Sequence, residues 1–410
     1  LREGRSWTAW VTRGYKAIDV DNHYYEPLDA FTRHLDKKFR RRGVQMVTDG
    51  RHTQVIIGDR VNRFIPNPTF DPIIVPGCLD LLFRGEIPDG VDPASLMKVE
   101  KLELRPEYRN RDARVVVVES QGIETIFMFP TFGCGVEEAL KADIEATAAS
   151  LHAFNLWLDE DWGFDRPDHR IIAAPMISLA DPEKALQEVE FVLERGARMV
   201  HVRPAPVPGV PRNRSLGHRS HDRVWARLAE ANVPVAFHLG DSGYLEIAGM
   251  WGGKETFEPF AAPPDPLDKI LVDDRAIHDT MASLIVHGVF DRHPTLRVAS
   301  IENGSEWVHR LAKRLKKLAN QHPRSFPNDP VDALREHVWI SPYYEEDLTV
   351  LADRIGVDRI LFGSDWPHGE GLESPLAFTE ELTGFSRAEV QKIMRDNALD
   401  FLGVTVASVA

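Results

Sequence analysis

Several short apolar runs in this chain end in side chains that can ligate a divalent cation. The first, Ala17 to Val20, is broken only by Asp19 and opens into Asp21-Asn22-His23-Tyr24-Tyr25-Glu26-Pro27. Residues two apart on a strand share one face, so Asp21 and His23 point the same way, with Glu26 behind them on the loop. Carboxylate and imidazole converging at a strand's carboxyl end suit a metal site. Taken alone, Asp-x-His equally describes a solvated loop after an edge strand. Other runs decide the matter. Val233 to Phe237 ends in His238, and Leu296 to Ile301 ends in Glu302. Arg359 to Phe362 runs into Gly363-Ser364-Asp365-Trp366-Pro367-His368, and Met199 to Val202 contains His201 and precedes Arg203. One such ending is common by chance; several on different strands of one sheet are not. Jointly, Asp21, His23, His238 and Asp365 read as a metal centre. His201, His287 and His368, taken singly, read better as satisfied polar groups at loop junctions.

The elements that must position these residues follow a steady beat. Strand-like runs centre near residues 18, 126, 174, 200, 235, 298, 339 and 361, with helical patterns between them. Asp181-Pro182-Glu183 opens one helix with a cap, a first-turn proline and an acid, and Ser386-Arg387-Ala388-Glu389 opens another with a capping box. Helices are expected over Val136–Asp161, Asp222–Glu230, Lys269–Phe290, Ser305–Asn320 and Glu345–Ile355. Eight strand–helix beats predict a closed, distorted (β/α)8 barrel over 1–410 as a single domain. An open doubly wound sheet is the alternative, without a Gly-x-Gly-x-x-Gly turn to support it. Two excursions interrupt the beat. The first, 28–114, follows strand one and is too rich in proline for long regular elements. The second, 240–267, follows strand five. Both lie after strand ends and are placed to roof the site, with Phe64, Phe70, Tyr244, Trp251, Phe257 and Phe260 as apolar lining. Core packing is the plainer reading of any one of these aromatics.

Composition narrows the classes. At 410 residues and 43% hydrophobic, the chain can bury a large core. A formal charge of -14 argues against a nucleic-acid or anionic-membrane partner. No run reaches membrane-span length and no signal-peptide core is seen, so a soluble cytoplasmic protein is expected. Cys78 and Cys134 are the only cysteines, too few for a disulfide framework or a thiolate cage.

The chain resembles the amidohydrolase superfamily, in its amidohydrolase-related (amidohydrolase 2) branch. The resemblance is carried by Asp-x-His-x-x-Glu-Pro at 21–27, Val-Pro-Val-Ala-Phe-His at 233–238 and Gly-Val-Phe-Asp-Arg-His-Pro at 288–294. Glu-Asn-Gly-Ser-Glu-Trp at 302–307 and Phe-Gly-Ser-Asp-Trp-Pro-His at 362–368 complete it. It implies that Asp21 and His23 stand for the family's first-strand His-x-His pair, His238 for its strand-five histidine and Asp365 for its strand-eight aspartate. Glu302 stands where the family often has an acid/base or second-metal histidine. The strand-four lysine that binuclear hydrolases carboxylate is not evident. The form Asp-Asn-His-Tyr-Tyr-Glu-Pro is also similar to an actinobacterial subgroup that includes the non-haem di-iron monooxygenase of platensimycin and platencin biosynthesis.

Two enzyme readings follow. Asp21, His23, Glu26, His238, Glu302 and Asp365 make six possible ligands, enough for two iron ions without a carbamate. A di-iron monooxygenase would use dioxygen to hydroxylate an apolar, terpenoid-like acid or carrier thioester, with Tyr244 and Trp251 against the substrate and Arg63 or Arg203 on its charge. The alternative is a hydrolase or non-oxidative decarboxylase of a small carboxylic acid with one zinc or manganese. In it Asp365 is ligand or base, and Glu302 or His368 moves the proton. A scaffold on a dead barrel is disfavoured by the complete ligand set. A homodimer is compatible with the class.

Overall fold

The computed structural model describes residues 14–50, 52–253 and 265–404. Strand β1 (Ala17–Tyr24) is buried along its whole length, and it pairs in parallel with β2 (Ile123–Pro130), which pairs with β3 (Ile171–Ala173). A second parallel sheet runs β4 (Val200–His201), β5 (Val235–His238), β6 (Val298–Ile301) and β7 (Val338–Ile340) in spatial order. Backbone bonds join the two sheets into a ring. His201 N–H donates to the Pro175 carbonyl at 2.8 Å and Ile177 N–H to the His201 carbonyl at 2.8 Å. On the other side the extended segment 360–363 fills the eighth place. Leu361 N–H reaches the Ile340 carbonyl at 2.8 Å, and Val20 N–H reaches the Phe362 carbonyl at 2.9 Å. The result is the barrel expected from eight beats, with no open edge in the ring.

Alternation along the strands builds two cores. Ile18, Val20, Phe127, Phe129, Ala236, Ile301, Trp339 and Leu361 belong to the inner cluster. Their neighbours Ile126, Met128, Val235, Phe237, Val298, Ile340 and Phe362 belong to the outer one, under the helices. Phe401 and Leu402 close the inner cluster at the amino ends of the strands, where Arg297 Nε donates to the Phe401 carbonyl at 2.7 Å. The carboxyl ends are left for chemistry.

Several helices are shorter than their patterns suggest, and capping explains where they break. Val136–Asp161 is two helices, Val136–Ala139 and Ile144–Asp161, because the Asp143 side chain accepts from Ala146 N–H and starts a new one. Lys269–Phe290 divides into Pro266–Val272, Arg275–Val286 and Val289–Arg292, with Gly288 in the left-handed region (φ 66°) before the last. Asp347 caps Leu348–Ile355, three residues later than the pattern implied. The capping box at Ser386 and Glu389 forms as read.

Residues 28–114 hold an antiparallel sheet of Val44–Asp49, His52–Ile57 and Arg60–Asn62, a small pair Ile73–Ile74 with Val99–Glu100, and short turns of helix. This excursion reaches the end of the eighth segment: Gly77 N–H donates to the His368 carbonyl at 3.2 Å and Leu79 N–H to the Gly369 carbonyl at 2.9 Å. In the second excursion the helix Leu245–Gly249 is described, whereas Phe257 and Phe260 lie outside the described residues. Among the described residues no helix is long and apolar enough to cross a membrane.

Candidate metal centre

The geometry begins with an irregularity in β1. Asp19 pairs with Ile126, Asn22 with Met128 and His23 with Phe129, so three steps along β1 oppose two along β2. This is a β-bulge. Ile18 and Val20 face inward, and strict alternation from them would turn Asp21 and His23 outward with Asp19. The extra residue reverses the phase. Asp21 and His23 therefore enter the barrel mouth, while Asn22 turns to the outer side.

Two further acids are aimed by unusual backbone. Glu302, at the end of β6, and Asp365, after the eighth segment, adopt φ of 56° and 55°. Left-handed backbone is uncommon outside glycine and costs on the order of 1 kcal/mol or more per residue.

Ligand atoms of Asp21, His23, His238 and Glu302 lie within 4.8 Å of one another. His238 Nδ1–H donates to the Leu239 carbonyl at 2.8 Å, which leaves the Nε2 lone pair facing Asp21 Oδ1 at 3.3 Å and Glu302 Oε2 at 3.1 Å. His23 Nε2 lies 3.4 Å from Asp21 Oδ1 and 3.2 Å from Asp365 Oδ1, and among the described residues neither ring nitrogen has a well-aligned hydrogen-bond partner. His368 stacks on His23 with ring centres 4.0 Å apart. Its Nδ1 is 2.6 Å from Asp365 Oδ1 and its Nε2 3.2 Å from Thr131 Oγ1.

Electrostatics in this buried pocket are strongly opposed. Burial, and then the Asp365, Asp21 and Glu370 carboxylates, push the Glu302 carboxyl well above its ordinary range. Burial works against the charge of Asp365, but the His368 and His23 imidazoles hold its carboxyl below the usual range. For His23, burial is outweighed by Asp21 and Asp365, which push it up to about 10. Lone pairs and like charges converge on one small volume with orphaned imidazole nitrogens around it. Such a donor set fits a divalent cation, which would replace a proton and relieve the repulsion.

Other expected site residues go elsewhere. The Glu26 carboxylate accepts from Phe132 N–H at 3.0 and 3.1 Å and from Gly133 N–H at 2.9 Å, outside the cluster of mutually close donors. It ties the loop after β2 to β1, and backbone amides take the lone pairs that a metal would need. Arg203 is buried between acids: it pairs with Glu138, lies 3.7 Å from Glu137 Oε2 and donates to the Asp241 carbonyl at 3.3 Å. Arg63 is exposed on the first excursion. The Tyr244 hydroxyl donates to Asp279 Oδ2 at 3.1 Å, and Trp251 is 70% exposed, so neither is a closed lining. His287 is satisfied by Ser215 Oγ at 2.7 Å, as the plainer reading held. His201 is not satisfied. It is buried, neither ring nitrogen has a partner among the described residues, and it lines a small cavity of about 10 Å³ with Cys134, Glu137 and Arg203.

Glu370 lies outside the strand-end pattern of the sequence. Its carboxylate joins Glu302, Asp365 and His368 in a further group of close donors. The signal was its place two residues beyond His368.

Comparison with known proteins agrees with this architecture. The chain belongs to the amidohydrolase family whose model matches residues 131–404. The crystal structure of an amidohydrolase from Mycobacterium avium subsp. paratuberculosis K-10 is 74% identical, with a TM-score of 0.92, covering 95% of this chain and 100% of that one. More distant structures share the fold. The 2,6-dihydroxybenzoate decarboxylase from Rhizobium is 20% identical (TM-score 0.55; 72% of this chain, 88% of that one). The 5-carboxyvanillate decarboxylase from Novosphingobium aromaticivorans, complexed with manganese, is 14% identical (TM-score 0.55; 96% and 97%). A curated relative, the 2-amino-3-carboxymuconate-6-semialdehyde decarboxylase of Dictyostelium discoideum, is 28% identical over 130 residues. That match spans 30% of this chain and 36% of the relative.

Proposed function

We propose that this protein is a divalent-metal-dependent enzyme that removes carbon dioxide, without oxidation, from a small aromatic or unsaturated acid. The observation that carries this reading is the buried set Asp21, His23, His238 and Glu302 with the Asp365–His368 pair beside it. Three of the relatives named above are decarboxylases, and manganese accompanies one of those structures. Asp21, His23, His238 and Glu302 would hold the cation. When bound, it supplies a fixed positive charge that polarises a substrate carboxylate or neighbouring oxygen. Loss of carbon dioxide leaves an electron pair on carbon that must take a proton. Asp365 holds His368 through Nδ1, which leaves Nε2, beside Thr131, as the position from which a proton is exchanged.

This reading takes the place of the iron monooxygenase expected from the sequence. That expectation rested on the carboxylate-rich ligand set and on the likeness of Asp-Asn-His-Tyr-Tyr-Glu-Pro to a monooxygenase subgroup. Hard carboxylate ligands serve manganese as well as iron, and the relatives named above include no monooxygenase. The test is anaerobic incubation of manganese-loaded protein with a panel of hydroxybenzoic and enoic acids, following carbon dioxide. Release without oxygen is expected. Oxygen uptake with a hydroxylated product and no carbon dioxide would overturn it.

One observation favours a second reading, with two ions. His23, Asp365 and His368 form a second group of close donors, and Glu302, Asp365, His368 and Glu370 a third, sharing members with the first. Counting metal per chain by mass spectrometry separates them: about one ion supports the first reading, and about two irons with oxygen uptake supports the second.

A further inference from the structure

The bulge that aims Asp21 and His23 is not held by ladder hydrogen bonds alone. On the outer side of β1 sits a buried polar chain of Asp19, Asn22, Arg114 and Ser364, none more than 1% exposed. The Asp19 carboxylate accepts from Ser364 N–H at 2.9 Å, Ser364 Oγ–H at 2.6 Å, Asn22 Nδ2–H at 2.6 Å and Asp21 N–H at 3.2 Å. Asn22 Oδ1 accepts in turn from Arg114 Nη1–H at 3.0 Å. Arg114 also donates from Nη2 to the His23 carbonyl and from Nε to the Glu107 carbonyl at 2.9 Å. Its guanidinium lies 4.4 Å from the centre of the Trp366 ring.

The network touches Asp19 itself, Asp21 through its amide, Asn22 through both ends of its side chain and His23 through its carbonyl, while Val20, the other residue of the bulge, is held by its amide to the Phe362 carbonyl at 2.9 Å. The same carboxylate grips Ser364, which precedes Asp365. Asn22 cannot turn over, because Arg114, which can only donate, faces its oxygen, and an Asp19 oxygen that already accepts from Ser364 faces its nitrogen. The side chain between the two candidate ligands is thus fixed at both ends, and Arg114 enters from the helix Arg111–Ser120 that closes the first excursion.

We infer that Arg114, Asn22 and Asp19 are positioning residues that set the bulge and thereby the affinity of the centre for its cation. The inference rests on the metal reading above. Hydrogen-bond partners of ligating side chains typically change metal affinity by about 10- to 100-fold when removed, and here the partners act on the ligands' backbone.

The experiment measures Mn2+ dissociation constants by chelator competition on the full chain, for wild type, Asn22→Asp, Arg114→Lys and Ser364→Ala. Asn22→Asp keeps the shape but sets an acceptor against Asp19, and Arg114→Lys offers its donors from a single nitrogen, which cannot span the acceptors that Nε, Nη1 and Nη2 reach separately. Weakening of about 10- to 100-fold in the first two is expected, with a smaller loss in Ser364→Ala, which removes one bond. Leu315→Ala, a buried change in the helix Glu306–Gln321, supplies a destabilised control whose affinity is expected to match wild type. Affinities within about threefold of wild type in both Asn22→Asp and Arg114→Lys, or an equal loss in Leu315→Ala, would overturn the inference. If Arg114→Lys does not fold, Asn22→Asp and Ser364→Ala carry the comparison. Failure of wild type to bind Mn2+, Zn2+ or Fe2+ would instead overturn the metal reading itself.

Discussion

At the scale of single residues, hydrogen bonds decide which polar groups remain for a ligand. His238 gives its Nδ1 proton to the Leu239 carbonyl and so offers Nε2 to the centre. Replacing it by alanine removes a donor without touching the outer core, and metal per chain is expected to fall to near zero with the far-ultraviolet spectrum unchanged. Glu26 makes the opposite case. Its carboxylate is taken by the Phe132 and Gly133 amides. Glu26→Gln should therefore leave metal content at the wild-type level while urea unfolding loses about 1–3 kcal/mol, the cost of weakening buried charge-assisted bonds. Loss of metal in that variant would return Glu26 to the ligand set. His368→Gln is expected to bind metal like wild type and to slow turnover by about 100-fold or more, as removal of an acid–base group does.

At the scale of elements, the eighth segment and β1 approach so closely that side chains have no room between them. A Cβ built on Gly363 would sit 2.7 Å from the Asp21 Cβ and against the Ser341 hydroxyl. Gly363→Ala must displace Asp21 or open the barrel seam. It is expected to cost about 1–3 kcal/mol in urea unfolding, as overpacking does, and to weaken metal binding in parallel. A variant with unchanged stability and affinity would show that the seam is looser than this packing implies. Capping, in contrast, is a local device. Asp143 and Asp347 decide where helices begin through their own side chains, so element boundaries shifted from the apolar pattern without altering the order of elements.

At the scale of the whole molecule, ligand binding and pH act on the folding equilibrium. A cation at about 100 times its dissociation constant should stabilise the protein by about 2.7 kcal/mol. Thermal scans of chelator-stripped protein with and without Mn2+ measure this, and identical midpoints would contradict a metal centre. The acid side is set in part by His221, buried with Nδ1 3.1 Å from the Leu216 carbonyl and pushed down to about 4 by burial. Its unfolded value is near 6.5. The unfolded chain therefore binds the extra proton, and stability present above about pH 6.5 is lost as pH falls toward 4, by on the order of 1–3 kcal/mol. His221→Gln should flatten that part of the urea-midpoint profile relative to wild type. The sequence by itself determined the order of strands, the barrel, the capping box at Ser386 and the strand-end residues Asp21, His23, His238 and Glu302. Those features are written in local periodicity and in which residue types end a strand. Tertiary structure alone decided the phase of the bulge, the capture of Glu26 by amides, the pairing of Arg203 with Glu137 and Glu138, and the reach of Arg114 to Asn22. Each depends on a neighbour far along the chain, and a polar side chain's role follows from the partner that satisfies it.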